Sequence, residues 1–192
     1  MKKILVIQGH PDSHSFCYAL AHAYREGAQT AGAEVKMVNL AELGFNPILT
    51  HGYRMPSPLE NDLVQIQEMI TWAEHLVFVY PTWWGAMPAL LKGFIDRVLL
   101  PGFGFKYKAD SIWWDRLLTG KTARLIVTMD SPVWYHWIMN RGQPHLAMKK
   151  MTLEFCGIKP VRTTTYGSIK TSSETARKQW ILDVDRLGKK CI

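Results

Sequence analysis

A chain of 192 residues, with 47% hydrophobic and 20% charged side chains, has the size and balance of one globular domain able to bury its own core. Those proportions exclude a disordered or collagenous chain, and no apolar run is long enough for a membrane-spanning helix. The net charge of +7 invites an anionic partner. Its lysines and arginines are spread along the chain with no block of five, however, so a nucleic-acid arm is not indicated and a phosphate-bearing small molecule is the economical explanation.

The N-terminus, Met1 to His10, sets lysines before an apolar run too short for a signal peptide; it reads as a first strand, Ile4 to Ile7. Cys17, Cys156 and Cys191 have neither metal-ligand spacing nor a disulfide framework, which fits reduced thiols in a cytoplasmic protein with no metal. A helix over Phe16 to Gly32 follows, then a strand over Glu34 to Asn39, a helix over Leu59 to Ala73 and a strand over His75 to Tyr80. Pro88 to Leu99 is helical, Ala123 to Met129 a fourth strand and Leu146 to Cys156 a helix. Val161 to Tyr166 is the fifth strand and Ser172 to Leu187 the closing helix.

Alternation of this kind argues for an α/β fold in one domain, residues 1–192, with a parallel sheet covered on both faces. Right-handed crossovers leave few windings; the flavodoxin-like, doubly wound order 2-1-3-4-5 places a ligand crevice beside the first and third strands. Two long loops, Gly44 to Pro58 and Leu100 to Trp114, have the length of functional segments.

Three loops at the expected carboxyl edge carry chemistry. Gly9-His10-Pro11-Asp12-Ser13-His14-Ser15-Phe16-Cys17 leaves the first strand on a glycine and starts a helix behind a serine cap. Free amides at that helix start form an anion site, with His10 and Ser15 beside it. The pattern is neither the dinucleotide glycine fingerprint nor the Walker loop, so it suits a single phosphate, unless it is a plain capped helix. Pro81-Thr82-Trp83-Trp84-Gly85 then sets two indoles and a glycine on a turn, with Pro88 opening the next helix. Large apolar rings in a loop suit a flat ring ligand, whose polar edges the amides of Trp83, Trp84 and Gly85 can meet; packing under a neighbouring loop is the plainer alternative. Thr128-Met129-Asp130-Ser131 occupies the next loop and can close the other edge. Tyr135, His136 and His145 lie just beyond as candidate proton relays.

Together these segments resemble the flavin-dependent NAD(P)H:quinone oxidoreductases, the DT-diaphorases and their modulator-of-drug-activity relatives. The likeness is carried by Gly9-His10-Pro11 with Ser15-Phe16, Pro81-x-Trp83-Trp84-Gly85-x-x-Pro88-Ala89, Leu91 to Val98, Gly102-Phe103-Gly104-Phe105 and Leu153 to Gly157. The resemblance implies a homodimer binding FMN or FAD, with ping-pong hydride transfer from NAD(P)H to a quinone-like acceptor. His10, Ser15, Phe16 and Cys17 would line the phosphate site, and Pro81 to Gly85 with Thr128, Met129, Asp130 and Ser131 would hold the isoalloxazine. Phe105 and Tyr107 match aromatics that a partner subunit lends to the substrate pocket, Asp96 matches an acidic position near the cofactor, and Tyr135 and His136 stand for the catalytic pair.

This chain departs from the family at Cys17, usually an amide or hydroxyl, and at Met129-Asp130-Ser131, where the family has Thr-Gly-Gly. Some relatives act instead as regulatory subunits of a membrane partner such as a potassium efflux system. A flavodoxin-type electron carrier is the other alternative.

Overall fold

The computed structural model describes residues 1–55, 57–139 and 143–192, without the side chains of residues 136, 137, 143 and 144. The chain runs β1 (Lys3–Gln8), α1 (Phe16–Thr30), β2 (Glu34–Asn39), α2 (Asn61–Trp72), β3 (His75–Pro81), α3 (Ala89–Val98), β4 (Phe105–Tyr107) and β5 (Trp114–Arg116). It continues through β6 (Thr122–Thr128), α4 (Val133–Met139), α5 (Gln143–Met148), β7 (Val161–Tyr166) and α6 (Glu174–Lys189). The five long strands pair in parallel in the order β2-β1-β3-β6-β7, with β4 and β5 apart as an antiparallel pair. Leaving that pair aside, this is the flavodoxin-like winding 2-1-3-4-5. The winding reverses between β1 and β3, which opens a crevice at their carboxyl ends.

Alternate strand residues point to opposite faces and feed two cores. Leu5, Ile7, Phe78 and Leu125 pack beneath α2 and α3, while Ile4, Val6, Val77 and Ile126 pack beneath α1 and α6. Burial on both faces explains why β3 is buried throughout and reads as an unbroken apolar run. On the second face α1 and α6 touch backbone to backbone. A Cβ at Gly27 would stand 2.1 Å from the Asp185 carbonyl oxygen, and one at Gly188 would stand 2.2 Å from that of Tyr24. Only glycine permits that approach.

The long loop before α2 is tied to α3. The buried Arg97 guanidinium donates to the carbonyls of Asn46 at 2.5 Å and Pro58 at 2.8 Å, and to Glu60 at 2.9 Å. Three local features differ from the sequence reading. The loop from Leu100 contains the β4–β5 hairpin; three-residue strands are too short for alternation to reveal. Instead of one helix from Leu146, α5 runs into a π turn over Lys149–Leu153, where the Glu154 amide donates to the Lys149 carbonyl at 2.9 Å. Finally, α4 forms from Val-Trp-Tyr-His-Trp-Ile-Met, whose aromatic and β-branched residues carry little intrinsic helix signal. No helix among the described residues is long and apolar enough to cross a membrane.

Candidate functional site

The first loop begins where Gly9 extends the ladder by donating to the Val79 carbonyl at 2.8 Å. A local turn orders the residues that follow. The Asp12 amide donates to His10 Nδ1 at 2.9 Å, and the His14 amide donates to Asp12 Oδ1 at 2.8 Å. With Nδ1 accepting, the neutral His10 ring carries its proton on Nε2. Burial lowers its pKa from the ordinary 6.5, so neutral is the prevailing form at pH 7. Ser15 caps α1, its hydroxyl accepting from the Tyr18 amide at 3.3 Å. The amides of Phe16 and Cys17 then have no acceptor among the described residues, as expected for a first helical turn.

The second loop is pinned by the Thr82 amide on the Thr128 carbonyl at 2.7 Å. Trp83 and Ala86 exchange backbone hydrogen bonds at 2.8 and 2.9 Å around Trp84 and Gly85, whose φ angles are +50° and +72°. Two positive φ values define a type I′ turn, where glycine is at home and tryptophan is not. This geometry divides the two indoles. Trp83 stays at the cavity, edge-on to His10 with centroids 5.2 Å apart, while Trp84 is wholly exposed. It also corrects the amide expectation: the Trp83 N–H is spent inside the turn, leaving those of Trp84 and Gly85 without an acceptor among the described residues.

The third loop follows β6. The Met129 amide donates to the Tyr166 carbonyl at 2.9 Å, and the Ile169 amide donates back to the Met129 carbonyl at 3.2 Å. Asp130 Oδ1 accepts from the Lys170 amide at 3.1 Å. Cys17 Sγ lies 3.2 Å from Thr128 Oγ1, joining the first loop to the third. Burial pushes the Cys17 thiol up to about 12, so it stays protonated beside Thr128 rather than acting as a nucleophile.

One cavity of about 200 Å³ gathers these pieces. His10, Ser15, Phe16 and Cys17 line it from the first loop, Pro81, Thr82 and Trp83 from the second, and Thr128, Met129 and Asp130 from the third. Trp84, Gly85 and Ser131 belong to the same loops but do not line it. Ile169 does, and the sequence reading missed it. It stands in the loop after β7, the next carboxyl-end loop along the sheet, so extending the edge rule by one strand would have found it.

Phe105 and Tyr107 lie elsewhere. They line a second cavity, of about 510 Å³, with Tyr53, Asp96, Phe155 and Cys156. Phe105 meets Tyr107 edge-on at 5.2 Å and Phe155 at 5.0 Å, and Trp114 stacks on Phe155 at 4.3 Å. Asp96 is paired with Lys92 at 2.6 Å. Tyr135 sits on α4, partly exposed, and lines neither cavity. The His136 side chain lies outside the described residues. His145 is buried, with Nε2 3.0 Å from Thr165 Oγ1, which ties α5 to β7.

The donor set of the first cavity fits a flavin. The Thr82 hydroxyl is buried without a partner among the described residues, and Thr82 shares the cavity lining with His10, the first turn of α1 and the Trp83 indole. Those groups match a phosphate, a polar ring edge and a flat π system. No cluster of three or more His, Cys, Asp or Glu among the described residues is placed to hold a metal ion.

A doubly wound sheet with an amide-lined crevice at its reversal is the design of flavodoxin-like proteins. The profile of that family, Flavodoxin_2, described as a flavodoxin-like fold, matches residues 2–186, and the chain belongs to it. An uncharacterized NAD(P)H oxidoreductase of Haemophilus influenzae is 32% identical over 184 residues, covering 92% of this chain and 89% of the relative. NAD(P)H dehydrogenase [quinone] 1 of Cavia porcellus is 28% identical over 193 residues, covering 87% and 69%. The crystal structure of Smu.1420 from Streptococcus mutans superposes with a TM-score of 0.84 at 32% identity, covering 99% of this chain and all of that one.

Proposed function

We propose that this oxidoreductase carries hydride from NAD(P)H through a bound flavin, FMN or FAD, to a quinone-like acceptor, donor and acceptor taking turns at one site. The observation that supports this most is convergence: loops far apart in sequence bring His10, Trp83 and Thr128 to a single cavity at the sheet reversal. When bound, the flavin supplies the two-electron chemistry. The overall reaction balances as NAD(P)H, one proton and quinone giving NAD(P)⁺ and hydroquinone.

The protein's part is to hold and to exclude. His10 Nε2–H, Ser15 and the amides of Phe16 and Cys17 hold the phosphate, with no lysine or arginine among the described lining residues. Trp83 lies against the ring, and Thr128 to Asp130 close its far edge. Tyr135 is the candidate proton donor, because α4 begins two residues after Ser131; His136 shares that segment. An unchanged kcat in Tyr135→Phe would assign the proton to solvent.

A homodimer completes the site. The aromatic cavity around Phe105, Tyr107 and Phe155 is separate from the cradle within one chain, and the cradle alone is small for a ligand of this class. In a pair, the second cavity of one copy faces the cradle of the other and forms the acceptor wall. The purified protein should show the visible spectrum of an oxidised flavin and oxidise NADH or NADPH with a soluble quinone. A colourless protein that neither flavin reconstitutes would overturn the reading. Bound flavin without turnover would favour a regulatory or electron-carrier role.

A further inference from the structure

The electrostatics of the first cavity run against the charge of the whole chain. Despite a net charge of +7, no lysine or arginine among the described residues lines it. His10 is kept neutral by burial, which leaves Asp130 as the formally charged side chain among those lining the cavity. The described salt bridges give Asp130 no cationic partner.

Nor is this carboxylate free to swing away. Its Oδ1 accepts from the Lys170 amide at 3.1 Å, within the short helical turn Ile169–Thr171. That turn is itself fixed, with the Ile169 amide on the Met129 carbonyl at 3.2 Å and the Arg177 guanidinium on the Ile169 carbonyl at 3.2 Å. The result is a negative charge anchored in the lining of a cavity to which the other described residues bring no compensating cation.

We propose that Asp130 lowers the redox potential of the bound flavin and so makes it a stronger hydride donor than a neutral side chain would allow. The inference rests on the flavin reading above. Taking up two electrons and one proton adds one negative charge to the flavin, and a fixed carboxylate nearby raises the energy of that form relative to the oxidised one. Because Asp130 is exposed to solvent, the effect is moderate and falls with salt. Asp130 is a tuning residue, distinct from the groups that hold the phosphate.

Asp130→Asn separates charge from shape, since an asparagine carbonyl can still accept from the Lys170 amide. The affinities of wild type and variant for oxidised and reduced FMN are measured by anaerobic titration. The ratio should move about tenfold toward the reduced form in the variant, equivalent to a rise of about 30 mV for a two-electron couple. The difference should shrink between about 20 mM and about 500 mM salt, over which the Debye length falls about fivefold. Asp130→Ala should give the same shift in potential but also loosen both forms, because the Lys170 anchor is lost. If both proteins bind FMN and the ratio is unchanged or moves the other way, the tuning role is wrong. If wild type binds neither FMN nor FAD, the functional reading falls and takes this inference with it.

Discussion

The two edges of the central sheet use polar groups for opposite ends. At the carboxyl edge, donors such as the Phe16 amide and the Thr82 hydroxyl are left without partners among the described residues in the lining of a cavity. At the amino edge, cations are consumed inside the protein. Lys121 Nζ donates to the carbonyls of Thr71 and Ala73 at 2.8 and 2.6 Å, and Lys2 Nζ donates to that of Cys191 at 2.5 Å. The Arg124 guanidinium, only 5% exposed, donates to the Ile192 carbonyl and, at 2.6 Å, to Thr164 Oγ1. Unpartnered donors thus line the cavity at one edge, while Lys2, Lys121 and Arg124 are hydrogen-bonded to the fold at the other. Part of the basic balance of the chain is thereby spent inside the fold, on these three side chains.

The sharpest way to break this comparison is Arg124→Met. Methionine fills much of the space but leaves the Ile192 carbonyl, the Thr164 hydroxyl and their surroundings short of a donor. Urea denaturation should show a loss of about 3 kcal/mol, with flavin affinity changed less than about twofold. A matching loss of flavin affinity would mean that the edges are coupled.

His75 gives the next largest effect. It is buried at the same edge, with Nδ1 2.7 Å from Thr122 Oγ1. Burial, aided by Lys2, Arg124 and Arg162, lowers its pKa from 6.5 to about 3. The unfolded chain therefore binds a proton between about pH 6.5 and 3 that the folded chain refuses, so stability is lost as pH falls through this range. Between pH 7 and 5 the loss is about 2 kcal/mol, seen as a shift of the urea midpoint, and His75→Phe should flatten it.

At the other edge, Trp83→Ala should weaken flavin binding about tenfold, or about 1.4 kcal/mol, while the melting temperature of the cofactor-free protein stays nearly constant. Equal losses would return Trp83 to a packing role. The smallest effect belongs to Ser15→Ala, which removes a helix cap and one phosphate partner together. It should cost about 1 kcal/mol of stability in the cofactor-free form and a fewfold in flavin affinity by fluorescence titration.

The legibility of the sequence follows the same division. Strand order could be read because Ile4 to Ile7 and Leu76 to Tyr80 are apolar runs that only two-sided burial explains, and handedness rules did the rest. The grouping of His10, Trp83 and Thr128 around one cavity could be read because strand ends in this winding converge on one crevice. What could not be read depends on dihedral signs or on distant partners. Nothing in Trp-Trp-Gly says that Trp84 takes φ +50° and leaves the cavity to Trp83. The anchoring of Asp130 by Lys170 spans 40 residues. Likewise, cations scattered along the chain gave no hint that Lys2, Arg124 and Arg162 would gather around His75.

The glycine contacts between α1 and α6 tie the helix behind the first cavity loop to the last helix of the fold. With Gly27 against Asp185 and Gly188 against Tyr24, neither helix can lift without exposing the other's backbone. The amide protons of both should exchange with solvent as one cooperative unit rather than fraying separately. A ligand seated on the first turn of α1 would thus slow deuterium uptake in α6, at the far end of the sequence, with no change of shape along the way.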